Sequence, residues 1–459
     1  MPEFSLNDVK QALSGAEILE CVQEQFSEIV TDSRKIVPGC LFVALKGERF
    51  NGEAFAEEAL KLGANGVLVS SEYAMPQARL GGTVIKAATD TQRAYQQLAH
   101  FWRMKFDIPV VCITGSNGKT TTKDLTASVL SARFPVLKTQ ANYNNEIGLP
   151  MTLLNMNETH RAAVVEIGMR GLGQIKALAP VAAPTIGIVT NVGETHMELL
   201  GSIENIARAK AELVEAIPAG GTVILNNDNE YTAAMADKCS SGVRVITFGI
   251  DREADIKAFD LVGGLDRTSF KCRLGSDGPI GQFTLPMVGH HNVSNALAAI
   301  GTGFALGLDA ETIQRGLDNL EMTGMRFEAK RVGQYNVIND AYNASPMSME
   351  AAINTLAEIT KGRRIAVLGD MLELGDVSVA AHQRVGRQVA QSGAVALVAF
   401  GAMGREIAKG ASDAGMTNVF HVDSHEAAAA KLKELLQPED TVLFKGSRGM
   451  KMEAIIDLI

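Results

Sequence analysis

The sequence predicts an α/β protein of three domains, and three observations lead to that prediction. The chain has 459 residues, which at roughly 150 residues per domain suggests about three domains. Hydrophobic residues make up 46% of the chain, enough to bury several cores. Short apolar runs alternate with helical patterns of about 10–15 residues, which is typical of a largely parallel sheet covered on both faces.

The first domain is predicted over residues 1–86 as a small N-terminal α/β domain. Short apolar strands lie at 40–45 and 66–70, and an amphipathic helix at 53–63 separates them. A polar stretch that is rich in turn residues, 46–52, follows the first of these strands.

The central domain is predicted over residues 87–322, with a parallel sheet like that of P-loop ATPases. A helix at 89–105 opens it, and Pro109 precedes the apolar run 110–114, which indicates a buried strand. A helical pattern at 202–217 lies between two later strands. The further apolar strands are predicted at 162–167, 185–192, 222–225 and 243–248.

The C-terminal domain is predicted over residues 323–459 with a doubly wound, Rossmann-like pattern. Helices, for example those at 347–359 and 379–392, separate its apolar strands. Those strands are predicted at 335–339, 364–368, 396–400, 418–422 and 441–444.

Composition and charge exclude several classes of protein. The net charge is −9, whereas binding to a phosphate backbone needs a surplus of Lys and Arg, so we expect no nucleic acid partner. No run of 18 apolar residues occurs, which predicts no membrane span, and the acidic N-terminus lacks the basic region of a signal peptide. The five cysteines form no CxxC pair, which fits a reducing cytosol. We therefore expect a cytoplasmic protein that acts as a monomer.

A short glycine-rich loop joins the strand 110–114 to a helix that Lys119 opens. Glycines let successive backbone N–H groups turn toward one anion, the helix N-terminus adds a positive dipole end, and Lys119 reaches the terminal phosphates. The Thr120 hydroxyl is placed to contact the magnesium ion that bridges those phosphates. The predicted ATP contacts in this loop are Gly115, Ser116, Asn117, Gly118, Lys119, Thr120 and Thr121.

The loop departs from the standard GxxxxGK[ST] motif, whose first glycine would fall at Ile113. This sequence has the shorter form GxxGKT. The alternative interpretation is a glycine-rich turn with a chance Lys-Thr pair. The order of strand, loop and helix favours the nucleotide interpretation.

Three polar residues further along the chain are candidate groups around a magnesium ion. Glu166 ends an apolar strand, where an open α/β sheet places ligand groups, although an exposed strand-end carboxylate is the alternative. His196 follows the next strand in a glycine-containing loop, and a structural histidine is the alternative there. Lys210 lies on the helix after that loop, and its pattern alone indicates a solvated lysine.

Four segments resemble the Mur ligases, and the resemblance extends over the whole chain. Those segments are 114–121, 144–150, 190–196 and 291–296. Two others, 339–346 and 369–375, resemble the member of this family that adds a dipeptide. The related ligase that adds the third stem residue usually carries a DNPR-type segment in its last domain, and none occurs here. The resemblance implies the three-domain Mur ligase architecture.

The resemblance also implies roles for individual residues. Glu166 and His196 match magnesium ligands, and Lys210 matches a lysine that CO₂ carbamylates in several members. Near Mg²⁺ an ammonium would be repelled, whereas a carbamate is an anion with two oxygen ligands. With Lys119, these residues form the predicted catalytic set. The remaining matches are Asn292 and Asn295 near the adenine, Arg326 and Asp340 on the nucleotide, and Ser33, Arg34, Lys46 and Asn51 at the UDP end of the substrate.

The implied reaction joins D-alanyl-D-alanine to UDP-N-acetylmuramoyl-tripeptide with ATP and Mg²⁺, through an acyl phosphate. It would be the last cytoplasmic step of peptidoglycan precursor synthesis. Three alternatives stay open: a Mur ligase that adds a single diamino acid, a folate polyglutamylating ligase, and a nucleotide-driven switch without ligation. The segment 445–448 is a candidate for contact with the second D-alanine, and a solvated basic loop is its alternative.

Overall fold

The computed structural model describes residues 3–47, 50–264, 266–275, 278–324 and 326–459. The chain forms two compact units. The first contains Met1–Cys112, Phe134–Gly168 and Ile175–Thr185, and the second contains Ile113–Arg133, Met169–Gln174 and Ile186–Ile459. The three-domain boundaries given above stay predictions. Within the described ranges, no helix is both long and apolar enough to cross a membrane.

All twelve predicted apolar runs contain a strand, and further strands occur that the sequence analysis did not predict. They are β1 Phe4–Ser5, β2 Glu17–Glu20, β3 Gln25–Phe26, β4 Ile29–Val30, β5 Leu41–Val43, β6 Gly66–Val69, β7 Thr83–Lys86, β8 Val110–Thr114, β9 Val136–Lys138, β10 Ala162–Glu166, β11 Ile186–Val189, β12 Thr222–Asn226, β13 Arg244–Gly249, β14 Ile256–Gly263, β15 Thr268–Leu274, β16 Ile280–Leu285, β17 Glu328–Val332, β18 Tyr335–Asp340, β19 Arg364–Gly369, β20 Ala396–Phe400, β21 Val419–Val422 and β22 Thr441–Lys445.

The α-helices lie mostly between these strands. They are α1 Leu6–Ala12, α2 Ala56–Lys61, α3 Thr91–Arg103, α4 Lys119–Ser131, α5 Gly148–Leu153, α6 Gln174–Ala182, α7 Met197–Leu200, α8 Ile203–Glu215, α9 Glu230–Ala233, α10 His290–Ala305, α11 Ala310–Asp318, α12 Pro346–Ile359, α13 Ser378–Gln391, α14 Gly404–Asp413, α15 His425–Leu435 and α16 Glu453–Ile456. Short 3-10 helices occur at Ser33–Lys35, Gly52–Phe55, Ala234–Lys238, Gly375–Val377 and Arg448–Met450.

The first unit contains a five-stranded sheet in the order β2-β7-β6-β5-β4. Strands β4 to β7 run parallel, and β2 is antiparallel to β7. Both β5 and β6 are buried along their whole length, as expected for apolar strands covered on both faces. The same unit places β8 beside β10, where the Ala163 N–H donates to Pro109 O at 3.0 Å, and β10 pairs in parallel with β9.

In the second unit, one sheet has the strand order β8-β11-β12-β13-β14-β15-β16. The Thr190 N–H, just after β11, donates to Thr114 O at the end of β8 at 3.0 Å. Strands β11 to β14 run parallel, but β14, β15 and β16 are antiparallel. The sequence analysis did not predict this antiparallel part. Its signal was available, because β15 alternates buried Phe270 and Cys272 with outward Lys271.

A second sheet of the same unit has the order β17-β18-β22-β19-β20-β21. All neighbours pair in parallel except β17 with β18. Alternate residues of β19 enter two different cores: Ala366 and Leu368 pack with helices α12, α13 and α14, whereas Ile365 and Val367 pack with α15 and α16. Both faces are therefore covered, which confirms the predicted Rossmann-like pattern.

Candidate active site

The phosphate loop connects β8 to α4 in the second unit, and two of its glycines are required by crowding. Gly118 precedes α4 with φ +79°, a backbone conformation that L side chains rarely adopt. A Cβ atom there would lie 2.3 Å from Asn295 Oδ1, and one at Gly115 would lie 1.8 Å from Thr190 Oγ1. The Lys119 ammonium donates to Gly115 O at 2.9 Å and thus lies over the loop.

The loop that follows β11 holds the phosphate loop in place. The Thr190 hydroxyl donates to Asn117 O at 2.6 Å. The Ser116 hydroxyl donates to Gly193 O at 3.0 Å and accepts from the Gly193 N–H at 2.9 Å. Since β8 and β11 are parallel neighbours, both loops lie at the carboxyl edge of the sheet, where ligands of open α/β sheets bind.

Two backbone amides of the phosphate loop already have protein partners. The Ser116 N–H donates to Asn191 O, and the Asn117 N–H donates to Asn191 Oδ1, both at 2.9 Å. These two hydrogen bonds join the phosphate loop to the loop that follows β11.

Lys210 is buried on α8, so its interpretation as a solvated helix lysine is wrong. Only 2% of the residue is exposed. Burial, and then the positive charge of Lys119, hold the pKa of Lys210 well below its ordinary value. Both effects act against the charged ammonium form of Lys210.

His196 precedes α7 in a left-handed conformation with φ 55°. Its Nδ1 lies 2.5 Å from Glu373 Oε2. Burial lowers the pKa of His196, Lys119 and Lys210 lower it further, and Glu373 opposes them. The two lysines thus act on the imidazole in the same sense as its burial.

Glu166 ends β10 in the first unit, where it is almost fully buried, so it is not an exposed strand-end carboxylate. Its Oε1 accepts a hydrogen bond from Asn144 Nδ2 at 2.7 Å, and its backbone N–H donates to Thr139 Oγ1 at 3.0 Å. Burying a carboxylate is costly unless it is hydrogen-bonded. Glu166 is thus a buried, oriented oxygen donor.

A cluster of metal-binding side chains is the next feature to consider. Among the described residues, no group of three or more His, Cys, Asp or Glu side chains could hold a metal ion. Mg²⁺ at nucleotide phosphates usually takes only one or two protein oxygens and keeps several waters. Within the second unit, the hydroxyl of the buried Thr120 is an oxygen donor of that kind.

Asn292 and Asn295, predicted near the adenine, are both buried on α10. Asn295 Oδ1 accepts from the Thr122 hydroxyl at 3.2 Å, and Asn292 Nδ2 donates to Val288 O at 2.8 Å. Asn295 therefore supports the start of α4, behind the phosphate loop.

Arg326 and Asp340, predicted to contact the nucleotide, lie in well-packed surroundings. The Arg326 guanidinium stacks 3.9 Å from the ring centre of Tyr342. Asp340 Oδ2 accepts from Lys445 Nζ at 2.6 Å. Because Lys445 is 3% exposed, it does not belong to a solvated basic loop, and that alternative is wrong for this residue.

The predicted UDP contacts lie in the first unit, close to its surface. Arg34 pairs with Asp32 at 2.8 Å while 86% of its side chain stays exposed. Ser33 begins the short 3-10 helix that contains Arg34, and Asp32 caps that helix. The hydrogen bonds from Arg34 hold the pKa of Asp32 at about 2. The remaining two, Lys46 and Asn51, are joined by an isolated β-bridge.

Sequence reasoning gave no role to three residues that contact this region. Glu373 contacts His196 and also accepts from Arg170 Nη2 at 2.5 Å. The Ser345 hydroxyl donates to Asn117 Oδ1 at 2.7 Å. The signal was present, because Ser345 and Glu373 stand in the two segments that resembled one member of the family.

A phosphate loop at the carboxyl edge of a parallel sheet, beside a buried lysine, defines a nucleotide-binding enzyme of the P-loop class. Comparison with known protein families identifies which family of this class the chain matches. The profile of the Mur ligase family catalytic domain matches residues 25–103, that of the Mur ligase middle domain matches 113–303, and that of the Mur ligase glutamate ligase domain matches 325–448.

Full-length relatives agree with these matches. The UDP-N-acetylmuramoyl-tripeptide–D-alanyl-D-alanine ligase of Synechocystis sp. is 42% identical over 436 residues, 94% of this chain and 91% of its own. A crystal structure of MurF from Acinetobacter baumannii has a TM-score of 0.92 and 30% identity, over 100% of this chain and 99% of that one. MurF from Thermotoga maritima in complex with ADP has a TM-score of 0.83 and 25% identity, over 94% and 96%. The chain belongs to the Mur ligase family, in its MurF branch.

Proposed function

We propose that the chain is an ATP-dependent ligase that joins D-alanyl-D-alanine to UDP-N-acetylmuramoyl-tripeptide. The observation that carries this proposal is the 42% identity, over 94% of the chain, to a ligase of that name. The buried free thiols of Cys40, Cys112 and Cys272 fit a reducing compartment. We therefore place the reaction in the cytoplasm. We also propose, from the family resemblance, that the chain acts as a monomer.

The chemistry explains why such a ligase needs a phosphate loop. A carboxylate is a poor electrophile, because its charge is delocalised and oxide would have to leave. Attack of the tripeptide carboxylate on the γ-phosphate of ATP gives an acyl phosphate and ADP. The amine of D-alanyl-D-alanine then attacks the acyl carbon, and phosphate leaves as the peptide bond forms.

Lys119 and the start of α4 provide the charge that this transfer requires. Two anions must approach each other, so positive charge near the γ-phosphate lowers the barrier. The Lys119 ammonium lies over the loop, and the positive end of the α4 dipole lies behind it. A bound Mg²⁺ would add neutralisation of the phosphate oxygens.

We assign that ion to four of the predicted residues. The hydroxyl of Thr120 and the carboxylate of Glu166 would be its oxygen donors, and His196 would be its nitrogen donor. Lys210 would serve as a carbamate, and its burial, which disfavours an ammonium, supports this role. Arg326 and Asp340 remain the proposed contacts to the nucleotide, with Asn292 and Asn295 near the adenine.

The proposed function is tested by phosphate release with purified protein, ATP and Mg²⁺. UDP-N-acetylmuramoyl-tripeptide and D-alanyl-D-alanine together should release phosphate, and omission of either should abolish it. Phosphate release with a UDP-dipeptide and a free diamino acid would support the Mur ligase that adds a single diamino acid. Phosphate release with a folate and glutamate would support the folate polyglutamylating ligase. Slow ATP hydrolysis at the same rate with and without these substrates would instead indicate a nucleotide-driven switch.

A further inference from the structure

We propose that Glu373 is a positioning residue that fixes the tautomer and orientation of His196. It comes from the C-terminal Mur ligase segment, 325–448, whereas His196 comes from the middle segment, 113–303. The inference deepens the proposed function and rests on His196 serving there as a ligand of the nucleotide-bound ion.

Both carboxylate oxygens of Glu373 are directed at groups of the middle segment. Oε2 lies 2.5 Å from His196 Nδ1, and Oε1 lies 2.5 Å from Arg170 Nη2. About a third of the Glu373 side chain is exposed, so these contacts are shielded but reachable by water. An arginine on one oxygen and an imidazole on the other fix the plane of the carboxylate.

The backbone of this loop is held against the histidine loop at an energetic cost. Glu373 adopts φ +63°, an uncommon conformation for a residue with a Cβ atom. Its carbonyl accepts from the Glu198 N–H at 3.3 Å. A Cβ atom at Gly375, where φ is +54°, would lie 3.1 Å from Glu198 Cα. Strain of this kind persists only where surrounding contacts maintain it, and it is concentrated at functional sites.

The other side of the loop is anchored to its own sheet. The Leu372 N–H donates to Ser447 Oγ at 2.9 Å, and the Ser447 N–H donates to Asp370 O at 3.0 Å. The Met403 N–H donates to Asp370 Oδ1 at 3.0 Å. Glu373 therefore projects from a fixed support, which a residue that orients another side chain needs.

The hydrogen bond determines which nitrogen of His196 is available to an ion. An ionised carboxylate can only accept, so Nδ1 must carry the proton that bridges to Oε2. The lone pair of the neutral ring is then on Nε2. Carboxylate partners of metal-binding histidines act in this way, and their loss typically lowers metal affinity about 10- to 100-fold. His196 is thus a competent ligand only while the C-terminal segment contacts it.

The test uses the full chain with Glu373→Ala, and Arg384→Gln as a matched control. Arg384 forms an ion pair with Glu194 between the same two segments, without contact to His196 in the described structure. One measurement is calorimetric binding of a non-hydrolysable ATP analogue at a series of Mg²⁺ concentrations. The other is nitrogen NMR of the metal-free protein with labelled histidine, with the His196 signals assigned by a His196→Gln variant.

We expect Glu373→Ala to raise the Mg²⁺ concentration needed for half-maximal binding by roughly tenfold or more. The His196 signals should change from a single Nδ1–H tautomer to a mixture. Arg384→Gln should stay within about twofold of wild type and keep the single tautomer. Kinetic constants should show a fall in kcat with little change in KM for D-alanyl-D-alanine, since the proposed role of Glu373 acts through His196.

Glu373→Gln protects the test against a folding defect, because the amide has nearly the same shape. It should give an intermediate Mg²⁺ requirement. Equal Mg²⁺ requirements and unchanged tautomers in Glu373→Ala, Glu373→Gln and the control would overturn the inference. If the wild type does not ligate D-alanyl-D-alanine but the tautomer still changes in Glu373→Ala, the proposed function fails and the positioning role of Glu373 stands.

Discussion

The phosphate loop of the second unit and the UDP loops of the first unit hold their predicted ligand contacts in different ways. Around the phosphate loop, Thr120 and Lys210 are almost fully buried, and Thr190 and Ser116 join two adjacent loops. In the first unit, Arg34 is exposed, and its ion pair is with a residue only two positions away.

This difference shows which parts of the site exist before a ligand binds. Most buried polar groups are hydrogen-bonded, and the hydrogen bonds of Thr190 and Ser116 hold the phosphate loop without a ligand. The side chains of Arg34 and Lys46 are exposed, so we expect a bound substrate to order them further. We therefore expect substitutions in the first region to reduce catalysis, and substitutions in the second to reduce substrate affinity.

Lys119→Ala should have the largest effect. Removal of the ammonium over the phosphate loop should lower kcat/KM by roughly 10²-fold or more, because the charge acts on the transferring phosphate. Thermal unfolding should show an intact fold. Turnover near that of the wild type would exclude the phosphate loop from the mechanism. It would also contradict the expectation that substitutions in this region reduce catalysis.

Lys210→Ala should follow, with a roughly 10- to 100-fold loss of activity. An ammonium beside Mg²⁺ would cost several kcal/mol at an effective dielectric of about 20, whereas a carbamate would be a ligand. Acetate at high concentration should restore part of the activity by occupying the vacated anion position. Arg208→Ala, an exposed residue on the same helix, is the control and should be nearly neutral. A fully active Lys210→Ala variant would show that Lys210 contributes to packing and not to catalysis.

The sequence predicted those parts of the site whose contacting residues lie close together along the chain. Lys119 and Thr120 were predictable, because a strand, a turn and a helix start are local features. The burial of Lys210 was not, since its helix pattern resembles that of a solvated lysine, and only the tertiary packing of α8 buries it. Glu373 lies 177 positions from His196, and no spacing rule connects two such residues.

The losses of unfolding free energy in Gly118→Ala and Gly81→Ala measure how crowded each glycine is, one in each unit. Both glycines have φ +79°, but a Cβ atom at Gly118 would lie 2.3 Å from Asn295, whereas one at Gly81 would meet nothing within 4 Å. Gly81→Ala should cost only the left-handed strain, roughly 1–2 kcal/mol of unfolding free energy. Gly118→Ala should cost at least about 1 kcal/mol more. Denaturant unfolding measures both, and equal losses would show that the phosphate loop can relax.

Arg34→Ala should have the smallest effect on the fold and a selective effect on the substrate. Its guanidinium is exposed, so we expect no measurable change in Tm. If it binds the UDP end, loss of a charged hydrogen bond should raise KM for the UDP-tripeptide by roughly tenfold and leave kcat and KM for D-alanyl-D-alanine unchanged. Lys35→Ala removes an adjacent exposed charge and serves as the control. An equal rise in KM in both variants would indicate general electrostatic attraction, and a fall in kcat for Arg34→Ala alone would show that the first unit also contributes to catalysis.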